Sequence, residues 1–138
     1  MTPIMKRILI VEDDPDMRLL LQIVLSRAGF EVWEAEDAEH ALTMLHQNKA
    51  PDLIILDLLL PHVNGLALCE SIRQHKPTAY TPILIVSAQG DASTLRSSME
   101  AGATDYIRKP ILPTMVLAKV QQLLALEDEV KPALNAED

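Results

Sequence analysis

The 138-residue sequence is short of cysteine, of aromatic residues, of positive charge and of long apolar runs, and each shortage excludes something. Cys69 stands alone, so no internal disulfide can form and nothing asks for an oxidising compartment. A lone cysteine of this kind is ordinarily a small buried apolar residue. Aromatic residues make up 3% of the chain, too few to build platforms for stacked nucleic-acid bases. No apolar stretch approaches the ~18 residues of a membrane-spanning helix, and the first ten residues hold only a brief apolar run before Glu12. The expected location is therefore the cytosol, with no membrane partner. Twelve Lys and Arg face twenty Asp and Glu, a formal charge of −8. That balance argues against direct nucleic-acid binding by this chain and favours a protein, metal or cationic partner.

What remains is the composition of an ordinary folded domain. With 49% hydrophobic and 23% charged residues the chain is neither disordered nor fibrous. Its length suits one domain that buries roughly 68–70% of its unfolded surface. Arg7–Val11, Leu53–Leu56 and Ile83–Val86 are nearly continuous apolar runs, the texture of strands covered on both faces of a parallel sheet. Glu31–Glu34 and Ala103–Ile107 read as two further strands. Between them apolar residues recur at helical spacing. Met17, Leu20, Leu21, Val24, Leu25 and Ala28 follow Asp14-Pro15 and stop at Gly29; Ala38, Ala41, Leu42 and Leu45 follow Asp37. Further helices run through Leu68, Cys69 and Ile72, through Ala92, Leu95 and Met99, and through Val116, Val120, Leu123 and Leu124. Five strands alternating with five helices through right-handed crossovers make an open, doubly wound α/β sheet, the chain being too short for an eight-unit barrel. Residues 6–126 form this domain, and residues 127–138 read as an acidic tail, either a frayed helix end or a linker stub.

In such a sheet ligands meet the carboxyl ends of the strands, and the loops there carry the reactive side chains. Glu12-Asp13-Asp14 follows the first strand and Asp57 ends the third. Like charges so close raise a carboxyl pKa or recruit a cation, and an all-oxygen set that leaves positions open to water and phosphate suits Mg²⁺. Asp57 can then act as a nucleophile toward phosphorus. Taken alone, Glu12-Asp13-Asp14 reads equally well as a helix cap and a solvated loop. Asp57, directly after four apolar residues, costs desolvation energy unless it is paired. The fourth strand delivers Ser87, and the fifth delivers Tyr106 and then Arg108-Lys109-Pro110, so a hydroxyl and an ammonium converge on the same point. Singly, Ser87 reads as a strand-end turn, Lys109 as a surface lysine and Tyr106 as a half-exposed strand aromatic.

The ordered set VEDD, LIILDLLLP with NG beyond, ILIVSA and DYIRKP resembles the receiver domain of two-component response regulators, chemotaxis receivers included, across residues 6–126. The resemblance implies a flavodoxin-like fold, a five-stranded parallel sheet in the order 2-1-3-4-5 with five flanking helices. It implies that Asp57 is the phosphoacceptor and that Glu12, Asp13 and Asp57, with the backbone carbonyl of Leu59, hold Mg²⁺. Ser87 becomes the switch hydroxyl, Lys109 the phosphate-binding lysine, Pro110 the usual cis-proline, and Tyr106 the aromatic that moves with Ser87. The implied partners are a sensor histidine kinase or phosphotransfer protein and a downstream output domain or protein, with a phosphorylation-dependent homodimer. The output face is the one made by the fourth helix, fifth strand and fifth helix. No enzyme acting on a separate substrate is implied.

Some positions depart from the family pattern. Glu12 replaces the more usual aspartate. Leu59 offers no group to orient a hydrolytic water, which implies a phosphorylated state that is not unusually short-lived. Met115 and Lys119 stand where transcription-factor receivers commonly place glutamate and arginine. His62 has no His or Cys at ligand spacing and reads as solvent-facing, and Trp33 reads as packing. A nucleotide or flavin binder would need a phosphate-cradling glycine loop after the first strand, where the acidic triplet stands. An aspartyl-nucleophile phosphatase would need a carboxylate at position 59. The remaining alternative is a receiver-like module that binds a partner without being phosphorylated.

Overall fold

The computed structural model describes residues 5–135. Five strands, β1 (Arg7–Val11), β2 (Glu31–Ala35), β3 (Leu53–Leu56), β4 (Ile83–Ser87) and β5 (Asp105–Arg108), alternate with five helices. The helices are α1 (Pro15–Arg27), α2 (Ala38–Gln47), α3 (Gly65–Gln74), α4 (Ala92–Glu100) and α5 (Pro113–Asn135). Every strand pairing is parallel and the sheet order is β2-β1-β3-β4-β5, the flavodoxin-like arrangement that the motifs imply.

The two-residue alternation of each strand sends successive side chains into opposite helical layers. Leu9, Val11, Ile54, Leu56, Ile83 and Ile85 enter a core shared with α2 and α3. Ile8, Ile10, Leu53, Ile55, Leu84 and Val86 enter one shared with α1 and α5. Burying a side chain of this size stabilises by about 1.5–3 kcal/mol, so the sheet is fixed from both faces and its strand ends are rigid mounts. Cys69 is buried in the first core. Trp33 packs beside the same core, with the Arg7 guanidinium over its ring at 5.1 Å.

Short polar residues set the helix starts. Asp14, Asp37, Asn64 and Asp91 accept the backbone N–H groups of Asp16, His40, Leu66 and Thr94 at 3.0, 2.7, 2.9 and 3.0 Å. These bonds satisfy donors that the first turn of a helix leaves unpaired. Gly29 carries φ 97 just after α1, where glycine alone is free of strain.

Two features differ from the sequence reading. The fifth strand starts at Asp105 rather than Ala103 because the chain leaving α4 turns through Gly102 at φ 110. The Thr104 hydroxyl there accepts the Ile83 N–H at 3.0 Å, and the paired register begins with Asp105 opposite Leu84. A single 3₁₀ turn at Lys76–Thr78, absent from the sequence reading, separates α3 from β4, and the Thr78 hydroxyl donates to the Ile72 carbonyl at 2.6 Å to close it. The last helix extends to Asn135, so residues 127–135 of the acidic stretch are helical, and residues 136–138 lie outside the described residues.

Candidate functional site

Asp57 follows the last residue of β3, and its N–H donates to the Val11 carbonyl at 3.0 Å, which carries the ladder one residue beyond the strand. Asp57 is 5% exposed, and Glu12, at the end of β1, is 3% exposed. Two carboxylates therefore stand buried on neighbouring strand ends. Lys109, just past β5, bridges them: its ammonium donates to Glu12 Oε1 at 2.5 Å and to Asp57 Oδ2 at 2.9 Å. The second Asp57 oxygen, Oδ1, accepts the Leu59 N–H at 2.9 Å. Asp13 lies exposed at the rim, and oxygens of Glu12, Asp13 and Asp57 fall within 4.8 Å of one another. Asp14, by contrast, is occupied as the α1 cap.

Ser87 is fully buried at the end of β4, where its hydroxyl accepts the Gln89 N–H at 3.4 Å and its carbonyl accepts the Lys109 N–H at 2.9 Å. The last contact ties the ends of β4 and β5 and keeps Ser87 and Lys109 abreast. The Lys109–Pro110 peptide bond is cis. The Tyr106 ring packs partly against the core beneath α2 and α3, and its hydroxyl is buried with no hydrogen-bond partner among the described residues. Leu59 is half exposed, its N–H committed to Asp57. His62 is exposed, with φ 68 in a tight turn where the Val63 N–H donates to the Pro61 carbonyl at 2.8 Å.

Electrostatics set the carboxylates apart. Burial drives the Glu12 carboxyl up to about 7, against the pull of the Lys109 ammonium. Burial acts upward on Asp57 as well, but hydrogen bonds from the Leu59 N–H and from Lys109 outweigh it and hold its pKa below the usual value. Burial works to lower Lys109, and its bonds to Glu12 and Asp57 leave it raised. Asp57 is thus the more firmly ionised carboxylate. The acidic cluster also passes a chemical test for a hard divalent cation. Its donors are all oxygen, and Glu12 Oε2 is buried without a hydrogen-bond partner among the described residues.

Two roles escaped the sequence reading, those of Arg18 and of Gly65. Arg18 of α1 donates to the Glu12 carbonyl at 2.7 Å and pairs with Glu34 at 3.6 Å, which pins the loop that carries the acid pair. Gly65 opens α3 against the loop after Asp57, and a β-carbon there would stand 2.5 Å from Leu58 Cα and 2.8 Å from the Asp57 carbonyl. Nothing in periodicity or charge marks these, because each acts through backbone atoms. A cavity of about 500 Å³ between α2 and α3 is an apolar groove walled by Leu42, Val63, Ala67 and Leu68, away from the carboxylates.

Comparison with known proteins gives the arrangement a context. The family profile of the response regulator receiver domain matches residues 8–121. A putative response regulator from Chloroflexus aurantiacus is 42% identical, with a TM-score of 0.82 over 88% of this chain and 99% of that one. A CheY-like response regulator receiver domain protein from Methanospirillum hungatei is 30% identical, with a TM-score of 0.83 over 91% of this chain and 98% of its own. The DNA-binding dual master transcriptional regulator RpaA of Synechocystis is 38% identical over 94% of this chain, which covers 53% of that protein. The chain spans about half the length of such curated relatives.

Proposed function

This chain belongs to the response regulator receiver family of two-component systems, and on that premise we propose that it accepts a phosphoryl group on Asp57 from a partner histidine kinase or phosphotransfer protein. The observation that carries the reading is the state of Asp57: a buried, ionised carboxylate at a central strand end with an ammonium on one oxygen and an N–H on the other. In the transfer, an Asp57 oxygen forms a bond to phosphorus as the phosphorus–nitrogen bond to the kinase imidazole breaks, and the imidazole leaves with the electron pair. Asp57 needs no general base, because it is already deprotonated.

Lys109 neutralises oxygens of the transferring group, a role its double bridge supports because the ammonium is already held at the acceptor. Glu12, Asp13 and Asp57, with the Leu59 carbonyl, would hold Mg²⁺, and the bound cation supplies further positive charge beside the phosphoryl oxygens. Ser87 turns its hydroxyl toward the new anion. Tyr106, whose hydroxyl has no hydrogen-bond partner among the described residues to hold it, follows. The change biases the face of α4, β5 and α5, where Leu95, Met99, Leu112 and Met115 are exposed. Lys119 on that face is paired with Asp105 at 3.0 Å, so a phosphorylation-dependent homodimer there rests on apolar contact.

The domain catalyses only its own phosphorylation and dephosphorylation, and apolar Leu59, with no group to orient a water, gives a phosphorylated state that is not unusually short-lived. Residues 6–126 form the receiver, and the stretch from residue 127 is its acidic tail or linker stub. The chain itself contacts no nucleic acid. No helix of the described residues is long and apolar enough to cross a membrane, and the cytoplasm is the proposed location. Intact-mass spectrometry after incubation with acetyl phosphate and Mg²⁺ tests the reading. A single phosphoryl adduct is expected, lost in Asp57→Asn and after chelation. A folded protein that takes no adduct overturns it in favour of a partner-binding module that is not phosphorylated.

A further inference from the structure

Gly90 lies in the three-residue loop between Ser87 and Asp91, the cap of α4. Its backbone does not adopt the left-handed conformation that explains Gly29 and Gly102, so turn geometry does not call for glycine here. Space does. A β-carbon at position 90 would stand 2.5 Å from Cδ, 2.8 Å from Cγ and 3.0 Å from Nε of Arg108. The Arg108 stem therefore lies across the loop in the place a side chain at 90 would take. Arg108 ends β5 in register with Ser87, and the next residue is Lys109. Arg108 is exposed and forms no ion pair among the described residues, and its stem meets the loop at Gly90. Beyond the loop, its charge adds to the hydrogen bonds from Thr94 that hold the exposed Asp91 carboxyl below the ordinary range.

We propose that Arg108 is a positioning residue that fastens the β4–α4 loop to the end of β5 and thereby sets how readily Ser87 moves to the phosphorylated Asp57. The inference rests on the phosphoacceptor reading given above. Movement of Ser87 toward Asp57 draws Ala88, Gln89 and Gly90 with it and slides Gly90 along the Arg108 stem. Packing that this movement breaks stabilises only the starting arrangement, so its removal lowers the cost of switching.

The test measures the rate of Asp57 phosphorylation by acetyl phosphate at saturating Mg²⁺, with thermal unfolding of each variant as a control for structure. Arg108→Ala is expected to raise the rate about two- to fivefold, the scale of one surface interaction. Arg108→Met keeps the stem without the charge and is expected to match the wild type. Gly90→Ala should act like Arg108→Ala when Arg108 is present and should add nothing in the Arg108→Ala background, because the two changes remove the same packing. An unchanged rate in Arg108→Ala, an Arg108→Met that behaves like alanine, or a Gly90→Ala effect equal in both backgrounds overturns the proposal. If the wild type takes no phosphoryl group, the phosphoacceptor reading fails and this one with it; if it does and the variants match it, only this one fails.

Discussion

Glu12 carries a cost that its partner Asp57 does not. A carboxyl raised from its ordinary 4.5 to about 7 binds more protons in the folded chain than in the unfolded one between those two values. Folding stability contributed by Glu12 therefore falls as pH rises through that window, by an amount on the order of 3 kcal/mol at the top of it. Asp57, with a depressed pKa, acts in the opposite sense and elsewhere: its contribution is present above the ordinary carboxylate range and is lost only as pH falls below about 4. Glu12→Gln should therefore flatten the decline in melting temperature between pH 4.5 and 7 when measured in chelator, while leaving the acid limb in place. An unchanged slope would show that Glu12 is ionised throughout. Cys69 sits at the other extreme of reactivity, its thiol pushed up to about 11 by burial, and it has no part in the chemistry.

At the scale of elements, one arginine joins parts that the sequence keeps apart. Arg73 near the end of α3 donates to the carbonyls of Gly102 at 2.9 Å, Thr78 at 3.1 Å and Thr81 at 2.6 Å. It thereby holds the 3₁₀ turn and the approaches to β4 and β5 together. Arg73→Met keeps the stem but removes the guanidinium donors from those carbonyls, and a loss of about 2 kcal/mol in denaturant unfolding is expected, with the rate of phosphorylation at Asp57 little changed. The same residue shows where reading the sequence stops. The three central strands were legible because a doubly covered strand must be apolar at every position. The starts of α1 and α2 were legible because Asp14, Pro15 and Asp37 are short-range signals. Asp57 stood out because a carboxylate directly after Leu53–Leu56 contradicts its surroundings. Arg73, Arg18 and Gly65 act instead on backbone atoms of distant segments, and no spacing in the sequence encodes which carbonyl an arginine reaches. The start of β5 was displaced for a similar reason, since the turn at Gly102 and the Thr104 hydroxyl fix it rather than apolar pattern.

At the scale of the whole molecule, the two cores and the reactive groups occupy different places. The apolar layers lie along the sheet, and the charged cluster sits on one rim of it. A cation that binds only the folded rim must then stabilise the entire fold by linkage, by about 2.7 kcal/mol at a concentration one hundred times its dissociation constant. Addition of Mg²⁺ should raise the wild-type melting temperature in a concentration-dependent way, and Asp13→Asn should largely abolish the rise. A rise of equal size in Asp13→Asn would place the cation elsewhere.

The last helix begins at Pro113, four residues after Lys109, and runs for 23 residues, a span of about 34 Å at 1.5 Å per residue. It is a rod with its near end beside Lys109, the lysine that bridges Glu12 and Asp57. Over that length a tilt of about 3° at the rim carries the far end through nearly 2 Å. A sub-ångström rearrangement around Lys109 is thus magnified, by lever arm alone, into a change of direction at the far end of the helix.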